Sequence, residues 1–184
     1  MKILALYGDT DHKEVETMFP EGAEYTYLSI HEFAAQDVIK DSEYDIVVML
    51  HSLMKLTSQL VPDTLKKVFG ALKVGGEIWI YVPSYEWCAK QAFIENPSIM
   101  LHYELYGTEK SPNHSVFNLS WLRALVEQSG FTPRTATQNK YQLKSKDKQG
   151  KEMILAMVQN IVIGWKTNEK PVTARSDDPS TAID

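Results

Sequence analysis

The chain has little of several things, and each shortage narrows what it can do. It holds one cysteine, Cys88, among 184 residues. One thiol cannot form an internal disulfide framework, so a reducing, cytoplasmic setting is expected. Nor can it complete a zinc set. His12, His31, His51, His102 and His114 lack metal-ligand spacing, so no metal is expected. No apolar run approaches the roughly 20 residues needed to cross a bilayer. Met1-Lys2-Ile3 leads into a core-like strand rather than a signal peptide, and no membrane role is expected. There is no basic excess. The net charge of −5 argues against general nucleic-acid binding as the main task. No Walker loop, nucleophile elbow, paired-carboxylate motif, internal repeat or low-complexity core segment is present.

What is there is ordinary globular composition, 43% hydrophobic and 23% charged, in a length that suits one domain with a full core. Lys2 to Tyr7 reads as a buried strand, followed by the polar turn Gly8-Asp9-Thr10-Asp11. A brief helix is expected over residues 12 to 19 and a second strand over Glu24 to Ile30. Glu32 to Lys40 is expected to be loop with one helical turn. The segment from Tyr44 to Ser84 is the most informative. Tyr44 to Leu50 is a short apolar run. Leu60 to Leu72 carries apolar residues at helical spacing (Leu60, Val61, Leu65, Val68, Phe69, Leu72). Lys73-Val74-Gly75-Gly76 is expected to stop that helix, and Ile78 to Val82 is a second apolar run, closed by Pro83. Two continuous apolar runs joined by a helix imply a parallel strand pair with a right-handed crossover.

Tyr85 to Glu95 is expected to be helical and Glu109 to Asn113 a loop. Ser120 to Ser129 is an amphipathic helix with Asn118 or Ser120 as cap and Gly130 as stop. Arg134 to Lys146 and Glu152 to Lys166 flank Lys148-Gln149-Gly150-Lys151, which is a hairpin signal. The lysines of this hairpin suit a solvated edge that resists sheet extension. The expected division is a domain over 1–166 and a disordered polar tail over 167–184.

The order of these motifs resembles a class I S-adenosylmethionine-dependent methyltransferase. In that family a strand opening Phe/Tyr-Asp is followed by a helix, Leu-Lys-Pro-Gly-Gly, and a strand ending Val-Pro. Tyr44-Asp45, Leu72-Lys73-Val74-Gly75-Gly76 and Val82-Pro83 take those places. Leu105-Tyr106-Gly107, His114, Phe117, Leu122, Leu125 and Ser129-Gly130-Phe131 are similar to a downstream segment of a compact subgroup. The resemblance implies an α/β fold, Rossmann-like, with a mostly parallel central sheet and a C-terminal antiparallel hairpin. It also implies S-adenosylmethionine as cofactor and methyl transfer by in-line displacement to a small or sugar-like acceptor.

The site residues follow from the same resemblance. Gly8, Asp9, Ser29, Ile30, Asp37 and His51 stand where the family holds the cofactor. His51 and His114 are candidate general bases. Ser84, Tyr85 and Glu86 are candidates to line the acceptor pocket. The chain departs from the family at four of these places. The Gly-Xaa-Gly turn is Tyr7-Gly8-Asp9. The acid that grips the ribose is Ser29, with Glu32 nearby. The fourth strand's Glu-His is Met54-Lys55, and Val-Pro-Asp is Val82-Pro83-Ser84. Departures gathered at the site while the scaffold motifs stand imply an alternative: an inactive module with a structural, assembly or partner-binding role. Compact, degenerate versions of the family also resemble accessory proteins of bacteriophages. The expected partner is therefore a small-molecule acceptor or a protein.

Overall fold

The computed structural model describes residues 1–8, 13–36, 41–92, 106–108, 111–146 and 152–168. In chain order the elements are β1 (Lys2–Tyr7), α1 (Lys13–Glu16), β2 (Glu24–Ser29), α2 (Ile30–Ala35), β3 (Tyr44–Leu50), a 3₁₀ turn (Leu53–Lys55), α3 (Val61–Ala71) and β4 (Leu72–Pro83). They continue with α4 (Tyr85–Ala92), a two-residue ladder of β5 (Gly107–Thr108) with β6 (Ser111–Pro112), α5 (Leu119–Gln128), β7 (Thr132–Lys146) and β8 (Glu152–Trp165). The main sheet has the order β2-β1-β3-β4-β8-β7. β1 pairs in parallel with β2 and β3, and β3 with β4. β8 runs antiparallel between β4 and β7. This is the expected mostly parallel sheet with an antiparallel hairpin.

Strand alternation divides the core. Leu4, Leu6, Val47, Met49, Ile78, Ile80 and Val82 join Phe33 of α2, Leu65 and Val68 of α3, and Leu122 and Val126 of α5 in one cluster. Ile3, Ala5, Ile46 and Val48 form a second cluster with Val15 of α1 on the opposite face. β1 and β3 are thus covered on both faces, which is why they read as unbroken apolar runs. Their backbone groups are paired along the ladder, so only side-chain character is visible in the sequence.

The helix ends have local causes. α3 carries Pro62 in its first turn, where a missing N–H costs nothing. α5 starts at Asn118, whose side chain accepts from the Trp121 N–H at 2.7 Å. It stops before Gly130, at φ +101°.

Several boundaries differ from expectation. α2 begins two residues earlier than foreseen, because Ser29 closes a capping box with Glu32 and ends β2 directly in a helix. α1 spans only Lys13–Glu16. α3 stops at Ala71, ahead of the Gly-Gly pair, and Gly75-Gly76 lies inside β4 at a register shift between Tyr44 and Ile46. Gly75 has φ +80°, and a Cβ on Gly76 would lie 2.9 Å from Lys73 O and 3.0 Å from Asp45 O. The pair is therefore a strand irregularity that only glycine fits. Part of the expected 109–113 loop is the β5–β6 ladder. β8 ends at Trp165, close to the expected domain limit. Residues 169–184 of the expected tail and residues 93–95 of the expected helix lie outside the described residues. Among the described residues, no helix is long and apolar enough to cross a membrane.

Candidate ligand crevice

The strand order reverses between β1 and β3, since β2 lies on one side of β1 and β3 on the other. In open α/β sheets such a switch point opens a crevice beyond the carboxyl strand ends, and ligands sit there. The residues at this point are Tyr7 and Gly8 at the end of β1, Ser29 at the end of β2, and His51 and Ser52 after β3. They are expected site residues or their neighbours, and the topology does bring them to one edge.

Their local bonding is specific. Ser29 caps α2. Its hydroxyl accepts from the His31 N–H at 3.2 Å, and the Glu32 carboxylate accepts from the Ser29 N–H at 3.2 Å. Both groups that stand where a ribose-binding acid is expected are thus engaged in ending β2 and starting α2. Ile30 is fully buried in the core cluster, so its side chain serves packing. Gly8 has its open side covered: a Cβ there would lie 2.9 Å from Lys55 Cγ and 3.4 Å from Lys55 Cε. Asp9 and Asp37 lie outside the described residues.

His51 has φ +50°, a left-handed conformation uncommon for a residue with a Cβ. Its N–H donates to Tyr81 O at 2.9 Å. Its Nε2 lies 3.0 Å from Gln159 Oε1. A carbonyl oxygen only accepts, so Nε2 is the donor of this contact. The ring meets Tyr141 edge-on at 5.4 Å. Burial pushes the neighbouring Tyr81 phenol up, which keeps it protonated. Ser52 is fully buried, and its hydroxyl has no hydrogen-bond partner among the described residues.

The expected acceptor residues sit at the end of β4. Ser84 is fully buried. Its hydroxyl donates to Glu86 Oε2 at 3.1 Å and accepts from Gln138 Nε2 at 3.0 Å and from the Trp87 N–H at 3.3 Å. Glu86 Oε1 accepts from the Leu119 N–H at 3.2 Å, the first residue of α5. Gln138 also donates to Asn160 Oδ1, and buried Asn160 donates to Phe117 O, both at 2.9 Å. Ser84 and Glu86 therefore belong to a satisfied polar network that locks β4, β7, β8 and α5 together. Tyr85 is exposed and edges a shallow cleft with Met54, Cys88, Val116 and Phe117. His114 is exposed. Its N–H donates to Met54 O at 2.8 Å, which ties the 113–117 segment to the 3₁₀ turn after β3.

No family model and no curated protein sequence matches the chain. Solved structures do match over nearly its whole length. A S-adenosylmethionine-dependent methyltransferase from Methanosarcina mazei aligns with a TM-score of 0.54 and 16% identity, covering 91% of this chain and 93% of that one. The YcgJ protein of Bacillus subtilis aligns at 0.55 with 11% identity, covering 91% and 92%. The 1,6-didemethyltoxoflavin-N1-methyltransferase of Burkholderia thailandensis, solved with 1,6-didemethyltoxoflavin and S-adenosylhomocysteine bound, aligns at 0.53 with 11% identity, covering 91% and 71%. The chain has the class I methyltransferase fold. At these identities the likeness is one of fold.

Within this methyltransferase fold, the described residues do not fit S-adenosylmethionine. The bare glycine surface that would let a ligand approach β1 is covered by Lys55, and no carboxylate stands free at the end of β2. Lys55, Tyr141 and Gln159 were not foreseen as site residues. Lys55 carried one signal, as a departure from the family's acid-histidine pair. Tyr141 and Gln159 carried none, because the latter is 108 residues from His51 in sequence.

Proposed function

We propose that this protein is a methyltransferase-fold module that works by binding, with a structural, assembly or partner-binding role, and does not transfer methyl groups. The observation that carries this reading is the Ser29–Glu32 capping box. The two polar side chains expected to grip a ribose at the end of β2 each hold a backbone N–H at the start of α2. The covering of Gly8 by Lys55 and the engagement of Ser84 and Glu86 in a closed network support the same reading.

One observation favours the rival reading, S-adenosylmethionine-dependent methyl transfer to a small or sugar-like acceptor. The buried Ser52 hydroxyl has no partner among the described residues, and a buried polar atom of that kind is usually satisfied by water or ligand. On that reading His51 or His114 would serve as base. Calorimetric titration of the whole chain with S-adenosylmethionine and S-adenosylhomocysteine separates the two. Absence of binding at millimolar ligand is the expected result. Micromolar binding would overturn the proposal and direct acceptor screening to His51→Ala and His114→Ala variants.

A further inference from the structure

We infer that Lys55 is a specificity-determining plug, lying along Gly8 in the place of an adenosyl ligand and excluding such ligands from the crevice. The inference rests on the binding-module reading above and gives it a residue-level cause. Glycine at a strand end commonly admits close approach of another group to the backbone. Here the approaching group belongs to the chain itself. Both Cγ and Cε of Lys55 lie within 3.4 Å of the position a Gly8 Cβ would take, so the alkyl chain runs along the glycine rather than away from it.

The turn that presents Lys55 is held from several sides. The Lys55 N–H donates to Ser52 O at 2.9 Å, and Met54 O accepts from both His114 N at 2.8 Å and Ser115 N at 3.1 Å. Ser115 Oγ donates to Leu56 O at 2.7 Å. Leu53, Met54 and Leu56 are buried. The backbone on either side of Lys55 is thus pinned to the core and to the 113–117 segment.

Two experiments test this. In the first, S-adenosylhomocysteine is titrated into the wild-type chain, Lys55→Ala and Lys55→Met, with thermal melts as a check on folding. The wild type is expected to refuse the ligand at millimolar concentration and Lys55→Ala to gain binding. Lys55→Met, which keeps an unbranched side chain over Gly8, is expected to stay closed. In the second, Gly8→Ala is placed in wild-type and Lys55→Ala backgrounds. It should lower the wild-type melting temperature by about 2–4 °C and leave the Lys55→Ala background nearly unmoved.

A Gly8→Ala effect equal in both backgrounds overturns the contact itself. Refusal by wild type and Lys55→Ala alike overturns the plug and leaves the binding-module reading standing. Micromolar binding by the wild type overturns both. Lys55→Ser is the second truncation if the alanine variant melts too low to titrate.

Discussion

At the amino ends of the parallel strands, polar groups tie element to element. Asp45 Oδ2 accepts from the Lys2 N–H at 2.7 Å and Asp45 Oδ1 from Lys73 Nζ at 2.6 Å, joining β1, β3 and the Gly-Gly irregularity. Glu77 on β4 gathers the indole N–H groups of Trp79 and Trp165 and the Arg134 guanidinium, which also lies 4.8 Å over the Trp165 ring. At the carboxyl ends, where a ligand would sit, Lys55 covers Gly8 and Ser29 and Glu32 cap α2. At the amino edge Asp45 and the Gly75-Gly76 irregularity hold the ends of β1, β3 and β4 together. The carboxyl edge carries the departures from the expected cofactor residues, and its polar groups serve helix capping and packing instead.

Four substitutions break or sharpen this contrast. The largest effect is expected for Gly76→Ala, since its Cβ would meet backbone oxygens on two segments. A loss of about 3 kcal/mol in denaturant unfolding is expected. Asn160→Ala comes next. It removes the donor to Phe117 O and the acceptor for Gln138 from a buried site, and about 2 kcal/mol is expected. A value near zero would detach the β4–β8–α5 network from stability.

Asp45→Asn tests the amino edge through pH. The Lys73 hydrogen bond, then the Lys2 N–H bond, hold the Asp45 carboxyl below its usual value. A depressed carboxyl contributes stability that is present above its unfolded pKa of about 3.9 and is lost as pH falls through the lower folded value. The wild type should therefore lose more stability than Asp45→Asn below about pH 4. At pH 7 the variant should be weaker by about 1 kcal/mol or less, because the pair is partly exposed to solvent. Parallel pH titrations of unfolding check both arms. The smallest effect is expected at the carboxyl edge. Ser29→Asp restores an acid where the family has one, and aspartate caps helices about as well as serine, so stability should move by less than about 0.5 kcal/mol. A large loss would mean that the carboxyl edge is as constrained as the amino edge.

How much of this was legible follows from the distance over which each feature is decided. β3, α3, β4 and the β7–β8 hairpin were readable because two-residue and helical periodicities are local. The Asn118 cap and the Gly130 stop were candidates for the same reason. The start of α2 was misjudged although its capping box is also local, because Glu24 to Ile30 reads as continuous strand until Ser29 turns it. The Gly-Gly pair was taken as a helix stop, and only its pairing with β3 makes it a strand irregularity.

The sequence by itself determined the α/β class, the crossover and the set of residues at the carboxyl strand ends, because side-chain periodicity and turn chemistry act within a few residues. Only the tertiary structure decided what those residues do. Lys55 over Gly8, Gln159 on His51 and Gln138 with Asn160 on Ser84 are contacts between segments far apart in the chain. No local pattern specifies such contacts. They arise when the parallel sheet brings its strand ends to one edge and each polar group there, once removed from water, takes the partner that packing places beside it.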